Sequence, residues 1–162
     1  MKKIILIICM LILPCIVSAY ENDYFTIDVK GNFKEMIEEN DVYKWNSNND
    51  NELPSITITV AKNNGTDKQN VKKFKDSDLV AYKKTIEDTI NNGLSEYNLK
   101  VSVSKLEKAK LNDYTALTYL TTWPTKESFG YNMYQKSYVI TTENYITTLV
   151  YTTATESDQN ND

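Results

Sequence analysis

Few residues in this 162-residue chain are equipped for chemistry. It contains no histidine and no arginine, so it lacks both the usual general base at neutral pH and the planar fork that grips phosphate or carboxylate in pairs. Carboxylates are the main acids and bases left. Glu38-Glu39 and Glu87-Asp88 lie side by side in sequence, but neighbours on a helix diverge by about 100° and do not face one another. Asn46, Asn48, Asp50 and Glu52 set oxygens at alternate positions, as a calcium loop begins. The sixth position of such a loop needs glycine and is Asn51; the twelfth needs a bidentate glutamate and is Thr57. The stretch therefore reads as a solvated hairpin loop. Lys72, Lys73 and Lys75, like Lys105, Lys108 and Lys110, read as solvated basic faces. With four isolated glycines there is no phosphate-cradling loop, and neither a nucleophile elbow nor a zinc spacing occurs. Asn64-Gly65-Thr66 is formally a glycosylation acceptor and reads as a turn. No catalytic residue, metal ligand or cofactor is expected.

Aromatic content is the remaining chemical signal. Twelve tyrosines and two tryptophans are present, many of them between Tyr114 and Tyr151. On a one-sided sheet, tyrosines fit half-buried positions with wet hydroxyls. The same residues suit a stacking, carbohydrate-contacting or protein-binding surface. Tyr119, Trp123, Tyr134, Tyr138 and Tyr151 are the candidate binding residues.

The elements that would position them follow from periodicity. Tyr24 to Val29 alternates apolar with polar, placing Phe25, Ile27 and Val29 on one face of a strand before a turn at Gly31-Asn32. Phe33 to Asn40 reads as a short helical turn, Val42 to Trp45 as a short strand, and Ile56 to Val60 as a β-branched strand. A helix from Asp76 carries Leu79, Tyr82, Ile86, Ile90 and Leu94 at spacings of three and four, with Asp76 as cap and Gly93 at its end. Thereafter the period falls to two: Leu99 to Val103, Tyr114 to Trp123, Tyr131 to Thr142 and Tyr145 to Ala154. Short turns at Asn112-Asp113 and Glu143-Asn144 make the last strands an antiparallel meander. The fold class is α+β: an antiparallel sheet of about six to seven strands with one main helix on a face.

Met1-Lys2-Lys3, an apolar run from Ile4 to Val17 and the small residues Ser18-Ala19 have the order of a secretory signal peptide cleaved after Ala19. The run is shorter than the roughly 18 to 20 residues that span a bilayer. A lipid-bearing Cys15 would follow Pro14 where a small residue belongs. Residues 1–19 are thus a signal, 20–155 a single domain and 156–162 a disordered acidic tail. Cys9 and Cys15 leave with the signal, so the exported product is thiol-free. Removing Lys2 and Lys3 leaves 16 basic against 22 acidic residues, a net charge of −6. Such a surface repels nucleic acid and anionic membrane, and no membrane insertion is expected after cleavage.

This order of elements, with Phe25-Thr26-Ile27-Asp28-Val29 soon after the signal and the closing strand Tyr145 to Tyr151, resembles the PsbP and Mog1-like α/β/α sandwich family, in its bacterial secreted or lipoprotein-type members. The resemblance covers most of the exported chain and rests on apolar patterns. It implies a non-enzymatic adaptor that assists other complexes. Members commonly add a second helix after the last strand, whereas Thr155 to Asp162 lacks any large apolar residue; either one sheet face is then partly bare or the fold differs. The first expectation is an exported accessory or binding domain of the cell envelope or exterior, with an unknown protein or envelope component as partner. The alternative is a secreted carboxylate-dependent hydrolase or transferase, which would need acidic side chains converging in a deep pocket.

Overall fold

A computed structural model describes residues 19–50, 52–64, 70–97 and 99–154. The expected signal, but for Ala19, and the expected tail, but for its approach at Ala154, lie outside the described residues. The chain divides into two compact units, residues 1–31 and 32–162.

In the first unit, β1 (Ala19–Glu21) pairs antiparallel with β2 (Thr26–Asp28). Asn22 makes the turn, its Oδ1 accepting the N–H groups of Tyr24 and Phe25 at 2.9 Å each. Phe25, Ile27 and Val29 are half-buried while Thr26, Asp28 and Lys30 are exposed, the alternation the sequence predicts. The strand nevertheless belongs to its own two-stranded sheet.

The second unit is built on one eight-stranded sheet. β3 (Ile37–Glu39), β4 (Val42–Asn46), β5 (Ser55–Lys62), β10 (Tyr145–Thr153), β9 (Met133–Thr141) and β8 (Tyr114–Trp123) follow in that order. Two short strands, β6 (Ser102–Val103) and β7 (Glu107–Leu111), share the outer edge of β8. The α+β class holds, with eight strands in place of six to seven. The last three strands of the meander are as read, β8 to β10 pairing in sequence and antiparallel; of the expected strand Leu99 to Val103 only Ser102–Val103 forms, and the hairpin partner of β8 is β7.

Residues 33–40 differ from expectation. Ile37–Glu39 is a strand, because Asn40 and Asp41 both take positive φ (51° and 61°) and close a two-residue turn whose twist matches the strands it joins. The helix α1 (Asp76–Gly93) forms where expected, but its start is fixed by Asp78, whose carboxylate accepts the Lys75 N–H at 2.7 Å, not by Asp76. Gly93 is its last residue, inside the helix, and does not take the left-handed cap conformation.

α1 covers one face of the sheet. Its stripe of Leu79, Tyr82, Ile86 and Ile90 packs on Val71, Val103, Leu106, Leu117 and Val139, joined by Tyr119 and Ile146. The strand registers put Leu117, Tyr119, Val139 and Ile146 on this one side. On the opposite side, Tyr43, Trp45, Ile58 and Val60 are buried at the β4–β5 end, so that end of the helix-free face is not bare.

Candidate functional site

The alternation along β8, β9 and β10 decides where the five candidate aromatics point. Tyr119 and Trp123 face the α1 side; Tyr134, Tyr138 and Tyr151 face the other. The five do not share a surface.

Tyr119 lies in the packing between helix and sheet, beside Tyr82 and the core. Burial pushes its phenol above the ordinary value of 10, a hydrogen bond with Ser137 pulls it partly back, and Tyr82 adds to the rise. Trp123 donates from Nε1 to Gln135 Oε1 at 2.7 Å, and Gln135 Nε2 reaches Thr152 Oγ1 at 3.4 Å. Gln135 lies directly between Thr121 and Thr152 in the registers, and Thr152 is followed by Ser55 and Asn46. A polar row thus crosses five strands, and of its members Thr121, Thr152, Ser55 and Asn46 are buried. Both aromatics on this side are committed to the fold.

The remaining three tyrosines gather around a lysine. Lys136 stands between Tyr134 and Tyr138 on β9 and is directly opposite Tyr151 on β10 and Leu120 on β8. Its Nζ is 5.5 Å from the centre of the Tyr138 ring, a cation over an aromatic face. Beside it, an open recess of ≈ 240 Å³ is lined by Ser104, Lys105, Glu107, Thr118, Leu120 and Lys136, with Tyr119 also contributing. The registers place Glu107, Thr118, Leu120 and Lys136 on the helix-free side.

The carboxylates weighed as acids and bases have other work. Glu87 Oε1 accepts the Val103 N–H at 3.1 Å and its other oxygen lies 3.9 Å from Lys83. Asp88 pairs with Lys84 at 2.8 Å. Glu38 and Glu39 are successive residues of β3 and point to opposite sides. In the calcium-like loop, the Glu52 oxygens take Lys34 Nζ (2.6 Å) and Asn46 Nδ2 (2.9 Å). The Lys34 ammonium holds the Glu52 carboxyl below its usual range. Both oxygens therefore close the loop on the protein itself. Of the basic clusters, Lys108 donates to the carbonyls of Lys72 (3.1 Å) and Phe74 (2.5 Å), tying the 3₁₀ turn Val71–Lys73 to the sheet.

Glu107, Thr118 and Lys136 were not singled out by sequence, and Lys105 was read only as part of a solvated basic face. One signal was available: in the strand from Tyr131 to Thr142, Lys136 is the only charged residue, at the same parity as Tyr134 and Tyr138. The fold is thus an antiparallel α+β sheet with one helix across part of one face, and its recess lies on the other. No model of a known protein family matches the chain, and no curated protein matches it.

Proposed function

We propose that this chain is an exported, non-enzymatic binding module that works through the side of its sheet opposite α1. The observation that carries the reading is the recess beside Lys136, where a lysine among three tyrosines adjoins Lys105, Glu107 and Thr118. Aromatic faces next to charged and hydroxyl groups offer both desolvated contact area and directional polar contacts, the mixture that recognition surfaces use. The carboxylates of Glu52, Asp78, Glu87 and Asp88 lend their oxygens to contacts within the chain, which favours binding over carboxylate catalysis. No helix among the described residues is long and apolar enough to cross a membrane.

Export rests on the order of charge, apolar run and small residues at 1–19. Kinship with the PsbP and Mog1-like family draws support from the single long helix on one face of an antiparallel sheet, and it fits an accessory role. The test is recovery of the tagged protein from its native cells after crosslinking. The reading expects a partner from the envelope or exterior that is captured by the wild type and lost with Lys136→Glu at unchanged thermal stability. Equal capture by both forms overturns it.

A further inference from the structure

One edge of the sheet ends on an open strand. β7 pairs with β8 alone, and among the described residues no strand lies along its outer side. The hairpin to β8 turns on Asn112 and Asp113, between the opposed pair Leu111 and Tyr114. In a two-residue turn the flanking pair exchanges both main-chain bonds, and bonded and unbonded pairs alternate from there. Leu111, Ala109 and Glu107 are thereby bonded to β8, and the N–H and C=O groups of Lys108 and Lys110 point outward.

The two sides of this edge carry different side chains. The registers place Lys108 and Lys110 on the α1 side, opposite Leu117 and Thr115, and Glu107, Ala109 and Leu111 on the other. Ala109 and Leu111 are half-buried. Lys108 Nζ reaches the carbonyls of Lys72 and Phe74, which brings Lys72 alongside the strand. Those partners are neutral, as is the Thr115 hydroxyl that takes Lys110 Nζ at 3.3 Å. Among the described residues no carboxylate pairs with Lys72, Lys108 or Lys110. Lysines on a sheet edge keep like edges apart. Left uncompensated in a chain of net charge −4, the same lysines attract a strand of opposite charge.

We propose that the outer edge of β7 takes up an extended segment of a partner protein in which acidic residues alternate with apolar ones, adding a strand to the sheet. The segment's main chain bonds the outward groups of Lys108 and Lys110. Its carboxylates lie beside those two lysines and Lys72, and its apolar side chains lie on Ala109 and Leu111. A polyanion without a peptide backbone satisfies the ammonium groups but offers no amide ladder to the open main chain, which favours a peptide. The edge is separate from the helix-free side on which the binding-module reading rests, so the two surfaces stand or fall independently.

The test is a titration of ¹⁵N-labelled protein with a short capped peptide alternating valine and glutamate, followed by amide chemical shifts and amide hydrogen exchange. Saturable shifts are expected along residues 107–111, with a Kd of about 0.1 mM. At saturation the Lys108 and Lys110 amides should exchange about tenfold more slowly, while those of Ala109 and Leu111, already bonded to β8, change little. A peptide of the same composition with its glutamates in one block, a peptide alternating valine and lysine, and polyphosphate are each expected to bind about tenfold more weakly. Lys110 is exposed, so Lys110→Glu tests the charge without disturbing the core. It should weaken the glutamate peptide about tenfold and strengthen the lysine peptide by a similar factor. Lys126→Glu, the same change of charge on the exposed turn after β8, should leave both unchanged. No saturable change at residues 108 and 110, polyphosphate or the block peptide binding as tightly as the alternating one, or Lys110→Glu binding like wild type would each overturn the proposal.

Discussion

Asn91 reaches the main chain of Val101 twice, its Nδ2 donating to the carbonyl at 3.0 Å and its Oδ1 accepting the N–H at 2.7 Å. One side chain of α1 thereby does what a neighbouring strand would do for this segment. Val101 is buried, so Asn91→Ala strands a donor and an acceptor away from water; a loss of about 2–3 kcal/mol in urea unfolding is expected. Leu106, 1% exposed in the core cluster under α1, should lose about 3 kcal/mol on Leu106→Ala in the same assay. Tyr119 gives a pH signature. Its folded pKa lies above the ordinary 10 because the phenol is buried, so its contribution is complete below about pH 10, the value in the unfolded chain. As pH rises through the folded value the contribution is lost, because the unfolded chain releases this proton first. Alkaline unfolding curves of wild type and Tyr119→Phe should therefore converge as pH increases, the variant losing less stability than wild type above pH 10.

Strands and helix were legible wherever a period persisted. The stripe from Leu79 to Ile90, the meander after Tyr114 and the turn at Asn112-Asp113, where Asn112 takes φ 52°, are all carried by local residue choice. The hairpin at Asn40-Asp41 was missed because the acidic run Glu35 to Glu39 masks the turn signal. Both central residues are left-handed there, so Asp41→Gly is expected to stabilise by about 0.5 kcal/mol and Asp41→Val to destabilise by more than 1 kcal/mol, read from thermal midpoints. Between β6 and β7, residues 104 to 106 stand against only Tyr119 and Leu120 of β8, a β-bulge that was illegible for another reason. A bulge is a mismatch between two registers, and Ser104-Lys105-Leu106 contains no glycine to mark it. Lys105, inside that offset, therefore read as part of an ordinary solvated basic face. The split of the aromatics was legible in principle, since Tyr119 and Trp123 are odd-numbered on β8, but the partner register needed to compare them with β9 and β10 comes only from the fold. The sheet edges are guarded by different means: β6 by Asn91 and Glu87 from α1, and β3 by its shortness and its two glutamates.

For the molecule as a whole, the two sides of the sheet divide the labour. The α1 side holds the core cluster and the polar row from Thr121 to Asn46. The other side holds Lys136 with its three tyrosines and the recess, and the account places binding there. Export and binding are joined in a single expectation, that a partner or ligand is met outside the cytoplasm by this side. Photo-crosslinking tests it most directly, with a benzophenone amino acid in place of Tyr138 or, as control, of Val80, which is 71% exposed on α1. The account predicts one discrete adduct in native cells from position 138, found with protein whose N-terminus is Tyr20, and none from position 80. An adduct from position 80 alone, or adducts formed equally from both positions, would contradict it.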